Sequence, residues 1–188
     1  MIGKLPTSLT VNGTDYEIRT DFRDVLNIIC AFSDTELEEK EKVYVCLCVL
    51  YLDFEDMPES DYEEAFKEAL RFIDYGMSDR QDNRDKSPRV MDWEQDESIL
   101  FPAVNKIAGF ETRSAEYLHW WTFVGYYMEI SDGLFSQVVG LRMKKAKHKK
   151  FEKWEREFWT ANKHLCIIKP KLSAEEQAQK DKLNAMLG

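Results

Sequence analysis

The chain has 188 residues, a formal net charge of −9, and 44% apolar and 13% aromatic residues, a composition that excludes general disorder and disfavours non-specific nucleic-acid binding by the molecule as a whole. A chain of this length buries roughly 70% of its unfolded surface and needs no disulfide or metal staple. Its longest apolar run, Val43–Leu52, is too short to cross a bilayer.

The start reads as a hairpin. Ser8–Val11 and Thr14–Ile18 flank Asn12-Gly13, the dipeptide that best accepts two positive φ angles. The remainder reads as helical. Asp21 is placed to cap a first helix carrying Phe22, Val25, Leu26, Ile29 and Phe32 on one face. Thr35 and Glu38 form a capping-box pattern for a second helix, Glu36 to about Leu52, buried in its C-terminal half. Ser60 and Glu63 announce a third, with Ala65, Phe66, Ala69, Leu70 and Ile73 inward and Gly76 as its stop. Residues 77–92, rich in charges and amides, form a loop and the one internal boundary the pattern offers.

A fourth helix spans Asp92 to Gly109, with Pro102 kinking it or opening its second part. Ser114 caps a fifth that holds the aromatic tract from Tyr117 to Met128 and ends near Gly133. A sixth carries Leu134, Val138, Leu141 and Met143. A seventh, Lys147 to about Leu165, places Phe151, Trp154, Phe158, Ala161 and Leu165 on one seam. Ser173 and Glu176 cap a last amphipathic helix. The expected fold is mainly α, a bundle of about seven or eight helices behind a short hairpin. Residues 1–172 make one helical domain and residues 173–188 a C-terminal helix or tail.

Catalytic chemistry finds little support. Cys46 and Cys48 point apart on a helix and cannot chelate one ion, and His164-x-Cys166 has no second pair at zinc spacing. No G-x-S-x-G elbow or phosphate-cradling glycine run is present. His119 beside the tryptophans suits a ring donating to a backbone carbonyl. No enzyme, cofactor or metal is expected. Apolar settings for most of Cys30, Cys46, Cys48 and Cys166, and no apolar stretch after Lys4, suggest a reduced, cytosolic protein.

Charge is unevenly spread. Residues 34–97 hold 21 acids and 8 bases, a net of −13, whereas residues 142–171 hold 11 bases and 3 acids, a net of +8. Such polarity serves either a partner or two solvated faces. The basic run Arg142, Lys144, Lys145, Lys147, Lys149 and Lys150 leads into the mixed-charge stretch Glu152–Glu157, which favours a solvated face over phosphate contact. In the aromatic tract, Tyr117, Trp120, Trp121, Val124 and Met128 share one helical face with Tyr127 beside it. A helix this apolar is central to a bundle or offers an interface patch.

The order of these residues resembles a known family. Asp96, Leu100, Ala103 and Gly109, then Leu118-His119-Trp120-Trp121-x-Phe123, then Leu141-Arg142 and the lysines after it, with Arg19-x-Asp21-Phe22-Arg23 upstream, are similar to the bacteriophage gene product fifteen family of tailed phages and prophages of Gram-positive bacteria. The resemblance runs to about Lys150, and departs at Pro102, Val104 and Ala108. It implies a gene between those for the tail tube and the tape-measure protein. The function implied is a non-catalytic tail assembly chaperone in the host bacterial cytoplasm. Its partners would be the tape-measure protein, possibly the tail tube protein, and further copies of itself, with no membrane and no nucleic acid. A structural tail or connector component, or a nucleic-acid-binding regulator using residues 142–150, are the alternatives. Tyr117, Trp120, Trp121 and Tyr127 are the first docking candidates if solvent reaches them. Phe151, Trp154 and Phe158, or the last helix, come next.

Overall fold

Asn12 and Gly13 have φ angles of 49° and 87°, and the turn they make joins β1 (Ser8–Val11) to β2 (Thr14–Glu17) in an antiparallel pair with Val11 opposite Thr14. The computed structural model describes residues 2–76 and 88–171, and beyond them residues 173, 176, 178, 179, 182 and 185. Eight α-helices follow the hairpin among the described residues.

Helix α1 (Phe22–Phe32) starts where expected, with the Asp21 carboxylate accepting the Arg23 amide. Helix α2 (Glu39–Leu50) starts three residues later than the sequence suggests. Asp34 captures the Glu36 amide in a local turn, and the box that closes is Glu38 with Glu41. Its last turn is buried as expected, with Cys46, Leu47 and Leu50 in the core. Arg19 donates to the carbonyls of Cys48, Val49 and Tyr51, placing a cation on that helix's negative end. Helix α3 (Tyr62–Ile73) lacks the expected serine cap, and a short 3-10 turn over Glu59–Asp61 leads into it. Asp61 instead accepts from Asn12 and Tyr16, tying the helix to the hairpin.

Helix α4 (Glu97–Ala108) is continuous through Pro102. Pro102 is exposed, so the Ser98 carbonyl that loses its i+4 amide faces outward rather than into the core. Gly109 ends the helix at φ 79°, a left-handed stop that favours glycine. Helices α5 (Trp120–Met128), α6 (Gly133–Ala146), α7 (Lys153–Ala161) and α8 (Lys163–Cys166) complete the fold. The expected seventh helix is thus two helices, beginning six residues late. His148, at φ 52°, closes α6, and a Glu152–Glu155 capping box opens α7.

Packing follows a series: α3 on α2, α2 on α1, α1 on α5, α5 on α4, α4 on α6, α6 on α8 and α8 on α7. One buried cluster runs from Val11 to Val138. The loop expected at 77–92 falls mainly on residues outside those described, as does most of the expected last helix. Its opening is present, with the Ser173 and Glu176 amides each bonded to the other's side chain. Among the described residues no helix is long and apolar enough to cross a membrane.

Candidate functional site

Two of the segments that carry the family resemblance, Asp21–Arg23 and Leu118–Trp120, meet at one junction. Thr20–Phe22 and Leu118–Trp120 run side by side as extended backbone. The Phe22 amide donates to the Leu118 carbonyl at 3.0 Å and the Trp120 amide to the Thr20 carbonyl at 2.7 Å. Asp21 also accepts the Leu118 amide, while Arg23 clamps Asp21 and reaches the carbonyls of Arg113 and Ala115. This pairing overrides the expected helix start at Ser114. The aromatic tract turns helical only at Trp120, with His119 as cap.

His119 accepts the Trp121 amide on Nδ1, so the ring proton sits on Nε2 and is donated to the Pro6 carbonyl at 2.9 Å. The sequence expectation of a histidine donating to a backbone carbonyl is met. Replacing His119 with alanine removes a cap and strands that carbonyl. We expect a loss of about 1–2 kcal/mol, read as a lower urea midpoint with unchanged slope.

The adjacent tryptophans close the C-terminus of α3. Trp120 Nε1 donates to the Ile73 carbonyl and Trp121 Nε1 to the Phe72 carbonyl, both at 2.9 Å. The Leu70 and Arg71 carbonyls receive the amides of Asp74 and Gly76, so all four carbonyls that a helix leaves without partners are satisfied. Phe123 stacks on Phe22 at 4.5 Å and on Trp120 at 6.0 Å. Trp120 is 2% exposed and therefore leaves the set of docking candidates. Trp121 is half-buried against Phe72 and Tyr75. Tyr127 is half-buried between Trp93 and Phe135, where burial and the nearby Asp96 charge raise its phenol pKa. Tyr117, at 57% exposure, is the first-rank candidate solvent reaches best, its hydroxyl sharing a hydrogen bond with Thr20.

The basic run is divided. Arg142 lies inside, its guanidinium bidentate on Asp96 at 2.6 and 2.7 Å and its remaining donors on the carbonyls of Val90, Leu165 and Cys166. It is no part of a surface patch. Lys144 pairs with the buried Glu155, whose carboxyl it holds below the usual range together with the Glu152 amide. Lys145 sits 4.3 Å over the Trp159 ring. Lys147, Lys149 and Lys150 are exposed. On the expected seam, Phe158 packs on the core, Phe151 lies against Trp159, and Trp154 points outward at 51% exposure.

Sequence reasoning missed an open apolar groove of about 220 Å3 lined by Phe32, Val43, Phe66 and Leu70 and rimmed by Glu39 and Lys42. Phe32 and Phe66 meet edge to face at 6.1 Å. Its volume suits a side-chain anchor better than a drug-sized ligand. The missed signal was that Phe32, the last residue of α1, comes to lie beside apolar residues of α2 and α3. Thiol chemistry gains no support, since burial raises the pKa of Cys30, Cys46 and Cys166, Cys46 to about 12. Among the described residues no cluster of three or more metal-ligating side chains occurs.

Fold and junction define a mainly helical protein whose tryptophan-pair signature locks helix ends together. The family model described as Bacteriophage Gp15 protein matches residues 1–166, and the chain belongs to that family; it is a bacteriophage protein. No curated protein and no solved structure matches it.

Proposed function

We propose that the protein is a non-catalytic tail assembly chaperone that holds apolar helical segments of the tape-measure protein until tube subunits replace it. The observation that carries this reading is the open groove at Phe32, Val43, Phe66 and Leu70. A helix docking in a groove is anchored by apolar side chains at i, i+3 or i+4 spacing, and a groove this small gives the modest affinity a chaperone needs for release. Tyr117 and Trp154 add exposed aromatic contacts outside it. Loss of Arg142, and engagement of Lys144, weakens the nucleic-acid alternative by removing charge from the basic run.

Co-expression with tape-measure fragments is the test. The wild-type chain should keep a fragment soluble and co-purify with it. Val43→Glu should lower recovery about tenfold, a cost near 1.4 kcal/mol, without altering the helical circular-dichroism spectrum. Tyr117→Ala and Trp154→Ala should reduce it less. Undiminished capture by Val43→Glu would remove the groove from the mechanism. Abundant peptides of this chain in purified virions would favour a structural tail component instead.

A further inference from the structure

Two exposed patches of opposite charge lie at opposite ends of the packing series. On the α2–α3 side, Asp53, Glu55, Asp56 and Glu59 are exposed and take part in no ion pair among the described residues. Three of them line one open cavity of about 260 Å3 with Leu52 and with Arg19, whose guanidinium is engaged by backbone carbonyls. Tyr44, exposed, lies edge-on to Phe54 at 5.4 Å in the same patch. The neighbouring acids of α3 differ, since Lys67 pairs with Glu63 and Glu64, and Arg71 with Glu68. The free carboxylates therefore cluster around an apolar centre of Tyr44 and Leu52.

On the α6–α7 side the pattern repeats with the sign reversed. Lys147, Lys149, Lys150 and Lys153 are exposed with no ion-pair partner among the described residues. Lys153 lies in the first turn of α7 and the other three in the segment leading to it, beside exposed Glu152, and Trp154 stands half in solvent there. The Lys144–Glu155 pair and the Phe151–Trp159 contact fix that turn against the end of α6, so the lysine rim has a defined place. An apolar centre within a charged rim is the ordinary anatomy of a protein interface.

We propose that copies of the chain associate head to tail, the carboxylate rim around Tyr44 and Leu52 of one copy meeting the lysine rim around Trp154 of the next. Helices α2 and α3 do not neighbour α7 in the packing series, so the two rims are distinct surfaces of one copy. The contact joins two different patches, and such heterologous contacts propagate as open chains or close as rings. Each copy carries a net −9, yet a screening length of about 8 Å at physiological ionic strength leaves the facing charges to decide the encounter. A polyanion meets the whole negative molecule. The proposal shares only Trp154 with the tape-measure reading, and its charge-reversal test can fail without that reading failing.

Sedimentation velocity on the full chain, in roughly 50 mM and roughly 500 mM salt, provides the test. Wild type should form a concentration-dependent series beyond dimers in low salt and dissociate in high salt. Charge reversal at the lysine rim (K149E/K150E/K153E) or at the carboxylate rim (D53K/E55K/D56K) should each leave monomers. An equimolar mixture of the two variants should reassociate, since each then offers the sign the other has lost; recovery also shows that both are folded. A wild type monomeric in low salt, growth that stops at dimers, or a mixture that stays monomeric would overturn the proposal. So would a fluorescent single-stranded oligonucleotide that binds through the lysine rim and disperses the assembly, because it would assign that rim to nucleic acid.

Discussion

Replacing Arg142 with methionine is expected to lower the unfolding free energy by about 3–5 kcal/mol, a large share of a typical domain's roughly 5–15. Its side chain is 6% exposed and that of Asp96 is 3%. All five of its N–H donors are used, two on Asp96 and three on the carbonyls of Val90, Leu165 and Cys166. Methionine fills similar space but leaves the Asp96 carboxylate buried, with the Asp92 amide as its remaining partner among the described residues. Lysine restores the charge without the planar fork, and should recover only part of the loss. The double variant R142M/D96L should be more stable than R142M alone, because removing both charges of a buried pair costs less than orphaning one. Urea unfolding of wild type, R142M, D96L and R142M/D96L checks this as a cycle. An R142M midpoint matching that of wild type would mean that the pair is not buried in solution.

Much of the fold was legible because local signals and tertiary packing agree. Asn12-Gly13 fixes the hairpin, Asp21 the start of α1, and Gly109 the end of α4. The misplacements share one cause, that a second partner competes for the capping group or the backbone. Asp34 takes the Glu36 amide before Thr35 and Glu38 can form a box. Thr20–Phe22 draws Leu118–Trp120 into extended pairing, so the helix expected from Ser114 waits for His119. Asp34 lies beside the box it displaces, whereas Thr20–Phe22 stands far outside any window one helix wide.

The candidate site was legible in composition and misleading in exposure. A charge within a basic run reads as solvated, and only its partner 46 residues upstream shows that Arg142 is interior. One signal was available: Arg142 follows Phe135 and Val138 at i+7 and i+4, which places it on the buried stripe of α6. The Phe151–Trp154–Phe158 seam presumed an unbroken helix. With α7 starting at Lys153, Glu155 turns inward to Lys144 and Trp154 turns out. The strongest aromatic motif thus serves the interior, while exposed contact falls to residues that its density did not single out.

Replacing Trp120 with phenylalanine is expected to cost about 2–3 kcal/mol, and with alanine about 3–5. Phenylalanine keeps a ring beside Phe123 and Trp93, so its cost isolates the indole N–H and the volume of the second ring. What is lost is the donor to the Ile73 carbonyl at the end of α3. Trp121→Phe removes the parallel donor to the Phe72 carbonyl, but that indole is half-buried and water can replace it, so about 1 kcal/mol is expected. The two donors serve consecutive carbonyls of one helix end. The double variant should therefore depart from additivity by about 0.5–3 kcal/mol, with hydrogen exchange accelerated at Asp74, Tyr75 and Gly76, whose amides complete the same helix end. Additive losses with unchanged exchange at those three amides would show that each tryptophan only fills space, and that the pair does not act as one clasp.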